Sequence, residues 1–95
     1  MRVLFIDTVH PILWDGLVKD GHECVDGTML SRAEVLSQLS GIHGIVIRSR
    51  ITIDKSFLDA GTDLKFIARS GAGMENIDTT YASEKNVVRI HAPEG

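Results

Sequence analysis

Apolar residues follow two alternating rhythms along the chain. Short unbroken apolar runs of strand length are separated by segments in which apolar residues return every three or four positions. The run RVLFID (2–7), bounded by polar residues, predicts a buried strand. HPILWDGLVKDG (10–21) predicts a helix: Pro11 falls in a first turn that tolerates its missing N–H, Leu13, Leu17 and Val18 share a helical spacing, and Gly21 stops it. HECVD (22–26) reads as a weaker second strand. Ser31 and Glu34 form a capping-box pattern ahead of Val35, Leu36 and Leu39, with Gly41 as the stop. GIVIRS (44–49) is a third strand, apolar until Arg48. Asp54 then caps a short helix carrying Phe57 and Leu58 and closed by Gly61. LKFIA (64–68) is the fourth strand, and Asp78 caps TTYASEKN (79–86), where Asn86 suits a left-handed stop. VVRI (87–90) is the fifth strand, and HAPEG (91–95) follows it.

Five strands separated by four helices give a βαβαβαβαβ order. Nearly continuous apolar strands belong to a parallel sheet covered on both faces, and right-handed crossovers restrict its topology. The expected fold is α/β: a flavodoxin-like open parallel five-stranded sheet of order 2-1-3-4-5, formed by residues 1–95 as one domain. No fifth helix follows the last strand in this pattern, so part of one sheet face should be apolar and exposed, a surface through which two copies could pair as a homodimer.

Composition narrows the function. A net charge of −3 gives no footprint for nucleic acid or an anionic membrane surface. No apolar run reaches the roughly 20 residues of a membrane span, and the first residues lack the apolar length and cleavage site of a secretory signal. One cysteine, Cys24, excludes an internal disulfide and a multi-cysteine metal site, and its strand position points to packing. A cytoplasmic location is the expectation. His10, His22, His43 and His91 are scattered without metal-ligand spacing; His22 and His43 precede strands and should serve on the surface or as caps.

In a parallel sheet, ligands gather where the strands end. The residues expected there are Asp7 to His10, then Arg48, Ser49 and Arg50, then Arg69, Ser70, Gly71, Ala72 and Gly73, then His91 to Pro93. That edge holds three of the ten Lys and Arg residues of an acidic chain. Guanidinium forks suit carboxylate or phosphate, hydroxyls add donors, and glycines expose N–H groups as an anion nest. A small anionic ligand is the expectation, with Arg69 the weakest member because it could lie inside the strand and pair with Asp63. Rival sites fail on the same residues. A phosphoacceptor aspartate is missing where Arg48 and Ser49 stand, DTVHP has neither the glycine nor the hydroxyl density of a flavin-phosphate loop, and there is no P-loop lysine. The segment SGAGMEN imitates a dinucleotide fingerprint, but it follows the fourth strand, no acid ends the fifth, and Asn76 replaces the third glycine.

VIRSRITID and the stretch LKFIARSGAGMENIDTTYASEKNVVRIHAPEG resemble the N-terminal part of the D-isomer-specific 2-hydroxyacid dehydrogenases, above all their phosphoglycerate-type members, most specifically over residues 45–95. The resemblance implies the first segment of a substrate-binding domain, ending at a hinge, APEG, to an absent nucleotide-binding domain. It implies that Gly71, Ala72 and Gly73, with Ser70, hold a substrate carboxylate through backbone N–H groups, and that Arg48, Ser49 and Arg50 face the substrate and its phosphate. Asn76 and Asp78 would fix the loop and cap the next helix. The catalytic residues and the true fingerprint would lie elsewhere, so this chain would bind no cofactor while the parent enzyme uses NAD, and the chain alone would be inactive. His91 departs from the family's usual asparagine. A free-standing, non-catalytic anion-binding module of the same fold is the alternative.

Overall fold

The computed structural model describes residues 1–9, 11–48, 50–70 and 76–92. Its elements alternate as the apolar rhythm predicts: β1 (Arg2–Phe5), α1 (Pro11–Lys19), β2 (Glu23–Asp26), α2 (Arg32–Ser37), β3 (Gly44–Ile47), α3 (Lys55–Ala60), β4 (Phe66–Ser70), α4 (Thr79–Glu84) and β5 (Val88–Ala92). The five strands form one parallel sheet in the order β2-β1-β3-β4-β5.

Strand periodicity sends alternate residues to opposite faces. One face contributes Leu4, Ile6, Ile45, Ile47 and Ile67 to the main core, which Val35, Phe57, Leu58 and Ala82 of α2, α3 and α4 complete. The other face carries Val3, Phe5, Val46 and Ala68 under Leu13, Trp14 and Leu17 of α1, with Phe5 and Trp14 rings tilted at 4.8 Å. Only α1 packs on this second face among the described residues. On β5, paired with Phe66 and Ala68, Val88 and Ile90 therefore remain 57% and 45% exposed, the uncovered apolar face the pattern foresaw.

The caps form as their chemistry dictates. Ser31 and Glu34 close a reciprocal capping box on α2, and Asp54 and Asp78 accept N–H groups of Phe57 and Tyr81. Asn86 adopts φ 60°, the left-handed stop.

Several boundaries differ from expectation. α2 ends at Ser37; Leu39 is buried beyond it, and Gly41 donates its N–H to Asp63 in the following turn. Val18 turns outward at 49% exposure, and Trp14 takes the packing position instead. β4 and β5 begin later and run further than their apolar runs, taking in Arg69, Ser70, His91 and Ala92, because the ladder between them continues through Arg69–His91 and Ser70–Ala92. His91 is thus an exposed strand residue. His43 does cap, accepting the Arg2 N–H at Nδ1, but His22 is half-buried and its Nδ1 is enclosed without a partner. Cys24 packs half-buried under α1, and burial raises its thiol pKa.

Candidate functional site at the carboxyl edge of the sheet

β1, β3 and β4 end side by side, with Ile47 of β3 in register with Arg69 of β4. The turn after β3 is gripped from several directions. From the end of β1, Asp7 Oδ2 accepts the main-chain N–H of Arg48 at 2.6 Å and of Arg50 at 3.3 Å. Its Oδ1 lies 3.6 Å from Arg50 Nε, and the Asp7 side chain is only 12% exposed. From the far side, Asn76 Nδ2 donates to the carbonyls of Arg48 (3.3 Å) and Ile51 (3.1 Å). Below, Ile53 and Ile77 form a parallel bridge. Arg32 of α2 reaches the Thr52 carbonyl (2.6 Å) and the Asp54 carboxylate (2.7 Å), and the Phe57 N–H foremost holds the Asp54 carboxyl below its usual range.

Arg50 is built into this frame. Nε and Nη2 donate to the Ile6 carbonyl (3.2 and 2.9 Å), Nη2 also to Gly27 (3.2 Å), and Nη1 to Leu30 (2.7 Å). Those four bonds engage four of the guanidinium's five donors, so Arg50 staples the loops after β1 and β2 to the turn after β3. One guanidinium N–H is left over from these bonds for the anion-facing role read for it. Arg48 instead has its main chain fixed and its side chain exposed.

Ser70 is the last residue of β4 and 3% exposed, so it lies in the strand rather than beyond it. Ser49, Gly71, Ala72 and Gly73 lie outside the described residues, as does His10. Arg69 is also inside β4, 9% exposed, but its partner is not Asp63: Nε donates to Asn76 Oδ1 (2.8 Å) and Nη1 to the Ser70 carbonyl (2.6 Å). The roles of Asp7 and Arg69 escaped the sequence reading. Asp7 is visible as an acid ending an apolar strand, but its partners are 41 and 43 positions away.

Other cavities are less suggestive. Depressions of about 560 and 480 Å³ run along α4 and β5, where Arg89 is the basic lining residue and already donates to the Val87 carbonyl. Among the described residues no cluster of His, Cys, Asp and Glu could hold a metal, and no helix is long and apolar enough to cross a membrane. The fingerprint's third glycine is replaced by Asn76, whose amide joins the Arg48–Ile51 turn to Arg69.

Known proteins of one kind are similar to this chain. The D-3-phosphoglycerate dehydrogenase of Archaeoglobus fulgidus is 33% identical over all 95 residues, and that of Synechocystis 31% identical over 94. The chain spans only 18% and 17% of their lengths. The crystal structure of the TT0316 protein from Thermus thermophilus superimposes with a TM-score of 0.85 at 30% identity, over 98% of this chain and 30% of that one. The NAD+-bound 3-phosphoglycerate dehydrogenase of Entamoeba histolytica gives 0.79 at 27% identity, over 98% and 33%. The profile of the D-isomer specific 2-hydroxyacid dehydrogenase catalytic domain matches residues 3–95, and the chain belongs to that family.

Proposed function

We propose that this chain is the substrate-side segment of a cytoplasmic, NAD-dependent D-2-hydroxyacid dehydrogenase of the 3-phosphoglycerate type, and that it holds the anionic groups of the substrate. The observation that carries the reading is the turn after β3: its main chain is anchored by Asp7 and Asn76 while the Arg48 side chain stands exposed, next to the end of β4 from which the glycine-rich segment departs. A cation on a fixed backbone orients a carboxylate or phosphate without itself moving protons. Hydride transfer to NAD, and the groups that exchange protons, belong to the remainder of the parent enzyme. The 3-phosphoglycerate dehydrogenases among the relatives supply the substrate class.

An amide NMR titration with 3-phosphoglycerate tests this. The amides of residues 48–50 and 70–73 should shift together and saturate. A well-dispersed spectrum in which none of them moves would refute the reading. The pure chain should show no oxidation of NADH with 3-phosphohydroxypyruvate, and detectable turnover would place catalytic groups within these 95 residues.

A further inference from the structure

A cavity of about 170 Å³ opens where β1 and β2 end, beneath α1. Cavities of about 150 Å³ accept a molecule the size of benzene, so this one has room for roughly six to eight heavy atoms. Its floor is aromatic. Phe5, 3% exposed, and the half-buried Trp14 present rings tilted by 56° with centroids 4.8 Å apart, so the two faces meet as a corner and not as a stack. Aromatic faces carry negative charge density and attract cations.

The mouth of the cavity is anionic. Asp26 ends β2 and lines it together with Thr28 and Thr8. Asp26 Oδ1 accepts both the Thr28 N–H (2.9 Å) and the Thr28 hydroxyl (2.6 Å), which pins the carboxylate in one orientation. The same bonds, the hydroxyl foremost, hold its carboxyl below the ordinary range. Among the described residues Oδ2 has no hydrogen-bond donor and the carboxylate has no ion pair. Asp7 lines the same cavity, but its charge is already shared with Arg50 and the turn after β3. No basic residue lines the cavity among the described residues. Packing alone accounts for Phe5 and Trp14 as cover for the second sheet face. It does not account for an ionised carboxylate pinned beside them with an oxygen to spare.

We propose that this cavity binds a small organic cation, a quaternary or primary ammonium with a short apolar body, its charge held between the Asp26 carboxylate and the Phe5–Trp14 corner. The lining repels the carboxylate and phosphate of an anionic substrate, so this is a second site with the opposite charge preference.

The test uses the full chain with choline, against its uncharged carbon isostere 3,3-dimethyl-1-butanol and against sodium chloride at matched ionic strength. Trp14 is the only tryptophan of the chain, so its fluorescence reports on the cavity directly. Choline should change that emission saturably, in the millimolar range, and shift the amides of residues 5–9, 14 and 26–28. The isostere should bind at least about fivefold more weakly, and sodium chloride should leave the signal unchanged. Asp26→Asn keeps an oxygen for both Thr28 donors and should stay folded, yet bind choline at least about fivefold more weakly. Equal binding of choline and the isostere would make the cavity a plain apolar crevice and overturn the proposal. So would a Trp14 signal that never saturates, or unchanged choline affinity in Asp26→Asn. The comparison of choline with the isostere is made on the wild type, so it decides even if the variant misfolds. These signals are separate from those of residues 48–50 and 70–73, so this proposal and the substrate-side reading stand or fall independently.

Discussion

Replacing Arg50 with alanine should damage the fold far more than replacing Arg48, although both are exposed arginines two positions apart. Arg50→Ala removes four hydrogen bonds to the carbonyls of Ile6, Gly27 and Leu30 and strands the Asp7 carboxylate, 12% exposed, without its cation. Bonds from a charged donor contribute about 1.5–3 kcal/mol each, which would sum to roughly 6–12 kcal/mol if all were sealed from water. The Arg50 side chain is 36% exposed, so water re-solvates much of what it leaves, and roughly 2–4 kcal/mol is the discounted expectation. For a chain of this size each kcal/mol moves the melting temperature by about 4–8 °C, so Arg50→Ala should melt on the order of 10–25 °C lower. Circular dichroism with heat and urea measures this. Arg48→Ala should cost less than about 1 kcal/mol, the range of exposed ion pairs. Arg50→Lys, with a point charge in place of a fork, should recover less than half the loss and, once folded, bind phosphate within about twofold of the parent. The reasoning collapses if Arg50→Ala costs less than about 1 kcal/mol, or if Arg50→Lys keeps full stability but loses phosphate.

Four further outcomes are expected. The carboxyls of Asp26, Glu34, Asp54 and Asp59 are held below their ordinary values, foremost by the Thr28 hydroxyl, the Ser31 N–H, the Phe57 N–H and the Tyr81 hydroxyl. Their stabilisation is present above the unfolded carboxylate range and is lost as pH falls through the lowered values. Tyr81, raised by its bond to Asp59, and Cys24, raised by burial, contribute below their ordinary values and lose that contribution as pH rises through the raised ones. The melting temperature should therefore be flat from about pH 5 to 9 and fall on both sides; a rise between pH 5 and 3 would contradict the assignment. Asn76→Gly completes a G-x-G-x-x-G pattern, yet it should destabilise by roughly 2–3 kcal/mol in urea melts and confer no NAD binding by calorimetry. Gly44→Ala would drive a Cβ into the Phe66 ring and should cost roughly 1–3 kcal/mol, partly restored by adding Phe66→Leu. We expect the exposed Val88 and Ile90 to pair two copies, so sedimentation should depend on concentration in the parent and not in Val88→Lys/Ile90→Lys; a parent that stays monomeric ends that idea.

Fold and caps were legible because they depend on local signals. Ser31 with Glu34, Asp54 and Asp78 each act within three residues, and strand order follows from handedness and apolar runs. The ends of β4 and β5 were misplaced because the cue was hydrophobicity, whereas the ladder is made by backbone groups that Arg69 and His91 supply as well as isoleucine does. That β1, β3 and β4 end side by side was legible; the duties of the arginines there were not. Arg48, Arg50 and Arg69 look alike in sequence; whether each one holds the protein or reaches out is decided by Asp7, Gly27, Leu30 and Asn76, all at least seven positions away. Asn76 was read as a fixer of its own loop, which lies outside the described residues; nothing local shows that its side chain instead joins the turn after β3 to Arg69.

Because Asp7, Asn76 and Arg50 immobilise the turn after β3 in the free chain, the entropy of ordering that backbone, about 1–2 kcal/mol per residue, is settled during folding and not again at each encounter with a ligand. The frame grips position 48 by its N–H and its carbonyl, which nearly every residue type supplies. Under the substrate-side role proposed above, exchanging its side chain for a neutral or apolar one would change which anion is welcomed and leave the host standing. Evolution could thus retune the guest at one codon, whereas any change at position 7, 50 or 76 would have to be solved together with the stability of the whole sheet edge.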